Sequence, residues 1–163
     1  MINLVEMILM GVLATLVMDS LAMVLGRLKI IHPPVGAEVI GRWTLYMFRG
    51  EFRHRDINET PALNHEKSAA WLSHYLIGIV LAGVYLFLEL KAATIRHQVW
   101  MPLIFGIATV LLPWLWLYPA IGLGFLASKA PSRSPYIITS LVNHTNFGLG
   151  LVIWVVIFRR FLV

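Results

Sequence analysis

Cysteine is absent from this 163-residue chain, and charged side chains make up only 13% of it. Without cysteine, the chain forms no disulfide and offers neither a thiolate metal ligand nor a cysteine nucleophile. Its apolar stretches also lack the alternation of polar and apolar residues that marks a membrane β-barrel. Hydrophobic residues account for 59% of the chain, and its mean hydropathy is +0.79. This composition excludes a water-soluble globular protein and predicts an integral membrane protein.

Four apolar stretches are long enough to cross a bilayer. An apolar helix needs roughly 20 residues to span about 30 Å of hydrocarbon. We predict membrane helices at about residues 4–25, 69–90, 99–127 and 136–158, since charge is nearly absent from all four stretches. Helices are the expected spanning structure because they satisfy every backbone hydrogen bond internally. The predicted fold is therefore an all-α, integral membrane four-helix bundle, with residues 1–163 forming a single membrane domain.

The connection at residues 26–68 is too long to be a simple tether. Val39, Trp43 and Met47 lie at helical spacing on one apolar face, which Arg42 and Arg49 border. This pattern is typical of a helix that lies in the membrane interface. We predict that the connection is partly helical and interfacial, and a solvated loop is the alternative.

Lysine and arginine are distributed unevenly among the connections. Nine of them lie in the first and third connections, whereas four lie in the second connection and at the C-terminus. The positive-inside tendency therefore predicts that the first and third connections are cytoplasmic. Because the basic residues flank membrane spans, the formal net charge of +5 indicates attraction to anionic lipid and not binding to nucleic acid.

Three of the predicted membrane helices carry one ionisable side chain each, Asp19, His74 and His144, at a similar depth. At about 1.5 Å of rise per residue, these side chains lie roughly 9, 8 and 12 Å inside the ends of their apolar stretches. All three lie in the half of the membrane nearest the first connection.

Helical spacing groups each of these side chains with small residues. Because membrane helices approach one another closely along small residues, these faces are expected to turn inward and to meet. We therefore predict that Asp19, His74 and His144 share one pocket. The faces comprise Gly11, Thr15, Asp19, Ala22 and Gly26 on the first helix, Ala70, His74, Gly78 and Ala82 on the second, and Ser140, His144 and Gly148 on the fourth.

The shared pocket has several interpretations. In a purely structural role, Asp19 hydrogen-bonds an imidazole and fixes how the helices pack. Ionised groups cost roughly 2.5–3.5 kcal/mol at the centre of a membrane helix, which favours a functional role. Asp19, His74 and His144 are suitable ligands for a transition metal, with His65 as a further nitrogen, and two facing imidazoles can ligate haem. Proton exchange during transport is a further interpretation, because histidine changes charge near neutral pH.

The third apolar stretch carries prolines and aromatic residues near the same membrane face. Pro113 and Pro119 predict kinks. Anchoring at the interface is the simplest role for the aromatic residues, although a flat ligand such as a quinone, haem or lipid tail can also stack on such a wall. We therefore include Trp114 and Tyr118, together with Asn143 of the fourth stretch, among the candidate cofactor-binding residues.

Several short motifs follow one another along the chain. They are Gly41-Arg42-Trp43, Phe52-Arg53-His54, Trp71 with His74-Tyr75 and Ile77-Gly78, Pro119-Ala120 with Gly122 and Gly124, Ala127-Ser128, and Ser140-Leu141 with His144 and Phe147-Gly148. Together, from about Thr15 to Leu151, they resemble a family of small bacterial membrane proteins of unknown function. The resemblance implies a location in the bacterial inner membrane, with Asp19, His74 and His144 at motif positions. It implies no activity.

From these observations we predict a binding or accessory component of the inner membrane, whose Asp/His pocket takes a metal, haem or another small ligand. A metal-dependent membrane enzyme and a proton-linked small transporter are the alternatives. The lipid bilayer is the expected partner, and assembly as a homo-oligomer or within a larger membrane complex is compatible with the sequence.

Overall fold

The computed structural model describes residues 3–92 and 98–159 of the chain, and in these ranges it contains helices, turns and no strand. Within the same ranges, four helices are long and apolar enough to cross a membrane: α1 (Leu4–Arg27), α3 (Glu66–Lys91), a third span (Met101–Ala120) and a fourth span (Arg133–Phe158). A shorter helix, α2 (Ala37–Met47), lies between α1 and α3. The predicted all-α class is confirmed, and the helices fit a multi-pass membrane protein.

The third span is an interrupted helix. It begins as α4 (Met101–Ala108), passes through a wider π-helical turn at Pro113–Leu117, and ends with α5 (Tyr118–Ala120). Proline lacks the N–H group that bonds to the carbonyl four residues earlier, so Pro113 and Pro119 interrupt the regular hydrogen-bond ladder. The sequence predicts one helix over residues 99–127, whereas the structure ends the span at Ala120.

The chain turns sharply after the third span. Gly122 has a φ of +96°, and a Cβ atom at this position would lie 2.2 Å from the carbonyl oxygen of Arg55. Both the backbone conformation and the close approach therefore require glycine here. The fourth span follows, with α6 (Arg133–Ile153) leading into a π-helical end at Trp154–Phe158.

Helix α1 packs against both α3 and α6, and α6 packs against α4. Small residues permit these approaches. A Cβ atom on Gly11 would lie 2.4 Å from the Cα atom of Ile79, and one on Gly106 would lie 2.2 Å from the Cα atom of Gly148. The backbones are thus in contact at both crossings, as is common between membrane helices.

Two apolar cores lie at different levels of the bundle. The first core joins α1, α3 and the fourth span, and consists of Met10, Ala14, Met18, Ala82, Tyr85, Leu86, Phe147, Leu151 and Trp154. The second core joins the first connection to the end of the third span, and consists of Trp43, Ile57, Tyr118, Ala120, Ile121 and Ala127.

The first connection folds into a cap, which we define as residues 28–65. Its helix α2 packs beside α3 and confirms that the connection is partly helical. The backbone N–H groups of His54 and Ile57 donate to the carbonyls of Ala120 and Ile121, at 2.7 and 3.2 Å. These bonds hold the cap against the end of the third span. The position of α2 at the membrane surface stays a prediction.

Candidate intramembrane polar site

Asp19 and His74 meet between α1 and α3. The His74 Nε2 atom lies 3.0 Å from Asp19 Oδ1, and because an ionised carboxylate only accepts hydrogen bonds, the imidazole is the donor. The neighbouring contact between Gly78 and the Thr15 hydroxyl shows why the pair forms. The glycine brings the helices together one turn from the pair, so the two side chains reach each other.

The pair is accessible from the side of the bundle. Its side chains are 23% exposed for Asp19 and 35% exposed for His74. In a helix that crosses a membrane, such a surface faces lipid or another molecule. A charged or strongly polar pair at this position is costly unless something complements it.

One oxygen of Asp19 lies outside the bond with His74. This Oδ2 atom is buried and accepts no hydrogen bond of good geometry from the described residues, and the Tyr75 side chain lies beside the carboxyl group. Beside it, the His74 ring lies 6.3 Å from the Trp71 ring and 6.0 Å from the Tyr75 ring, both nearly perpendicular to the imidazole. The imidazole of the pair is therefore flanked by two further aromatic rings, and the Asp19 carboxyl group retains the capacity to accept another hydrogen bond.

His144 lies at the same level but has a different partner. Its Nδ1 atom lies 2.7 Å from Thr109 Oγ1, and the Thr109 hydroxyl donates to the Gly106 carbonyl. Because the only hydroxyl proton is thus used, the imidazole donates from Nδ1. A neutral imidazole in this tautomer keeps its lone pair on Nε2.

The helix register places His144 near the Asp19 turn. Gly150 packs against Ala14 where α6 and α1 run antiparallel. His144 lies six residues before Gly150. In antiparallel helices it is therefore level with the residue six positions after Ala14, which is the neighbour of Asp19. The structure joins Asp19 and His74 by a hydrogen bond and places His144 at their depth on the adjoining helix.

Trp114 and Tyr118 contribute to a different set of contacts. Trp114 Nε1 donates to the Ser140 hydroxyl at 2.7 Å, and the Tyr118 hydroxyl donates to the Tyr136 carbonyl at 3.0 Å. These bonds join the third and fourth spans nearer the cap. The polar groups of both aromatic residues are thus occupied by hydrogen bonds within the fold.

Asn143 lies on α6, and its Oδ1 atom is buried without a partner among the described residues.

The described part of the chain gives no support to a metal centre. His65 is exposed at the start of α3, where its φ is +68°. Within residues 3–92 and 98–159, no group of three or more histidine, cysteine, aspartate and glutamate side chains is arranged to hold a metal ion. Transition-metal sites usually need such a group.

A second polar cluster, missed by the sequence interpretation, lies at the opposite end of the bundle. Arg159 donates to Glu6 at 2.8 Å and to both oxygens of Glu89 at 3.1 and 2.8 Å. Trp154 Nε1 also contacts Glu6, at 3.4 Å. The sequence signal was one charge at the same end of each of three helices. From its position in the sequence alone, Arg159 resembles an ordinary basic residue that flanks a membrane span.

An ion pair also fastens the cap to α3. Arg42 bonds both carboxylate oxygens of Glu66, at 2.7 and 3.2 Å, and donates to the carbonyls of Ile57 and Thr60. The hydrogen bond with Glu66 raises the pKa of Arg42 above its ordinary value. Gly41 permits this arrangement, because a Cβ there would overlap the Glu66 backbone. The motif around Gly41-Arg42 thus has a structural role.

These features describe a class: an all-α, multi-pass membrane protein with a folded cap and polar pairs between its spans. The chain belongs to the family described as "Protein of unknown function (DUF2938)", whose model matches residues 8–158. The family resemblance inferred from the motifs is thereby confirmed. No curated protein and no solved structure matches the chain. The function must therefore be argued from the site.

Proposed function

We propose that this protein is a binding component of a bacterial inner membrane, and that its Asp19–His74 pair binds a small ligand carrying a protonated amine. The observation that carries the proposal is the Asp19 Oδ2 atom, which is buried and accepts no hydrogen bond of good geometry from the described residues, within a pair whose side chains are partly exposed. A buried acceptor without a donor is costly, so a donor from a ligand would stabilise it.

The remaining groups of the site favour the same ligand chemistry. His144 bonds Thr109 through Nδ1 and lies at the level of Asp19, and in the tautomer that is protonated on Nδ1 its Nε2 atom supplies a second acceptor. The aromatic rings of Trp71 and Tyr75 border the pair and offer favourable contacts to a cation. Two acceptors and aromatic faces suit an amine that donates hydrogen bonds and carries positive charge. An apolar tail on that amine would remain in the surrounding hydrocarbon.

Binding is better supported than transport. Thr15 lies one helical turn from Asp19, and about 13 Å separate it from Glu6 along α1. Between the polar site and the Glu6 cluster lie Met10, Ala14 and Leu151, all fully buried. A proton would have to cross this apolar layer to reach the other end of the bundle. A metal-dependent enzyme is also less well supported, because the described residues contain no metal-binding group.

The proposal is tested by the binding of octylamine to the full-length protein in lipid nanodiscs. We expect saturable binding by calorimetry, with the affinity reduced about 10- to 100-fold in Asp19→Asn, because a charged hydrogen-bond acceptor is lost. Glu38→Gln is the matched control, since Glu38 is an exposed carboxylate of α2 whose only ion-pair partner among the described residues is Lys67. Octanol tests the need for positive charge and should bind more weakly than the amine.

Two results would contradict the proposal. One is octylamine binding that is equal in the wild type and Asp19→Asn. The other is pH-driven proton flux in liposomes that Asp19→Asn abolishes while amine binding is absent, which would favour transport instead. Native mass spectrometry of protein extracted from its own membrane would identify the natural ligand, or a metal in its place.

A further inference from the structure

The end of the molecule that carries the cap has an excess of exposed positive charge. Seven exposed basic residues at this end form no ion pair among the described residues, against three exposed acidic residues, which leaves a net charge of +4. The basic residues are Arg27, Lys29, Arg49, Arg53, Arg55, Lys129 and Arg133, and the acidic residues are Glu51, Asp56 and Glu59. Such a surface attracts anionic lipid headgroups.

Two exposed aromatic side chains lie within this charged surface. Phe48 is 86% exposed and Phe52 is 56% exposed. A phenylalanine in water gains free energy when it enters an apolar environment. Basic and aromatic residues together are typical of protein surfaces that lie against the membrane interface.

A cleft in the cap combines these properties. It lies between the end of α2 and the segment that leads into α3, and it is lined by Leu45, Phe48, Arg49, Ala62, Leu63 and Asn64. Arg49 is exposed and lies over the ring of Tyr46, with 5.5 Å from its Cζ atom to the ring centroid. Its guanidinium therefore has a packed position at the edge of the cleft and remains available to an anion.

The cleft lies level with the first residues of a candidate membrane span. Asn64 lies two residues before the start of α3, the second membrane-spanning helix. The Thr44 hydroxyl lies 3.3 Å from the Ser73 hydroxyl, so α2 runs beside the first turns of α3. The cleft is thus located beside the start of α3, which is a candidate membrane span. Headgroup regions add roughly 5–7 Å on each side of the hydrocarbon core. A layer of this thickness would include the cleft.

We propose that this cleft binds an anionic phospholipid. Arg49 and the Asn64 amide contact the phosphodiester, and Leu45 and Phe48 contact the upper part of an acyl chain. Arginine suits this role because its planar guanidinium donates two parallel hydrogen bonds to phosphate oxygens. The lipid site is independent of the Asp19–His74 pair, so either proposal can fail while the other stands.

Native mass spectrometry with phosphatidylglycerol and phosphatidylcholine tests the lipid site. Full-length protein is equilibrated with equal amounts of the two lipids, and we expect retained phosphatidylglycerol to exceed phosphatidylcholine. Arg49→Gln should lower the preference about fivefold, which is the contribution of one basic residue near an anionic surface. Lys91→Gln is the matched control, because Lys91 is an exposed basic residue at the other end of α3.

Phe48→Ser separates the cleft from general charge attraction. It removes the exposed apolar contact and leaves the net charge unchanged, so it should also lower phosphatidylglycerol retention. Equal retention of the two lipids by the wild type would overturn the proposal. So would an equal effect of Arg49→Gln and Lys91→Gln, which would indicate nonspecific attraction. Displacement of the lipid by millimolar inorganic phosphate would show that the cleft recognises free phosphate and would likewise overturn it.

Discussion

Removing Arg159 should destabilise the bundle strongly. This guanidinium joins α1, α3 and the end of the fourth span through three hydrogen bonds of 2.8–3.1 Å to Glu6 and Glu89. The two glutamate side chains are only 12% and 6% exposed. In Arg159→Met they would face each other without a cation.

The expected loss follows from the cost of an uncompensated buried charge. Breaking a buried ion pair by removing one partner costs about 3–5 kcal/mol, whereas an exposed pair contributes about 0–1 kcal/mol. Arg159 is 15% exposed, so the buried value is the appropriate one. We therefore expect Arg159→Met to lower the free energy of unfolding by about 3–5 kcal/mol.

Reversible unfolding of the full-length protein in mixed micelles measures this change. Arg133→Met is the control, because Arg133 is exposed and its side chain bonds only the Leu126 carbonyl among the described residues. Adding Glu6→Gln and Glu89→Gln to Arg159→Met should restore part of the stability, since the buried charges are then removed. A loss below about 1 kcal/mol, or no recovery in the triple variant, would refute the reasoning.

Three further predictions concern the helix crossing, the cap and the polar site. Gly106→Ala should lower the free energy of unfolding by about 1–3 kcal/mol, because its Cβ would overlap the backbone of Gly148; denaturant titration measures this, and an unchanged midpoint would contradict it. Arg42→Gln should open the cap, because it breaks the pair with Glu66. Limited trypsin digestion should then cut residues 48–65 faster than in the control variant Lys67→Gln, and equal rates of cleavage would contradict the prediction. Asp19→Asn should alter the imidazole nitrogen NMR shifts of His74 more than those of the other histidines, and a uniform response would contradict the pairing.

Much of the fold could be predicted because membrane helices are specified locally. Apolar length alone locates the spans, and helical spacing alone indicated α2. The convergence of Asp19 and His74 also followed from the sequence, since each lies on a face with small residues such as Gly11 and Gly78. Close packing along these faces brings the two side chains within hydrogen-bond distance.

The remaining contacts depend on which ends of the helices adjoin one another. Arg159 follows an apolar stretch and resembles an ordinary flanking charge, and only the packing of α1 and α3 around it reveals its partners. The end of the third span was likewise decided by tertiary structure. Its apolar sequence continues to Ala127. In the structure, however, the chain turns at Gly122 against the backbone of the cap, and the cap packs on the residues that follow.

The sequence by itself determined the class of protein, the approximate spans and the depth of the three ionisable groups, because hydrophobicity and helical rise are local properties. Only the tertiary structure decided which imidazole Asp19 bonds and which partners the other groups have. Asp19 bonds His74, His144 bonds Thr109, and Arg159 bonds two glutamates. Pairing depends on the crossing and register of helices that are distant in sequence, and those are set by how their surfaces fit together.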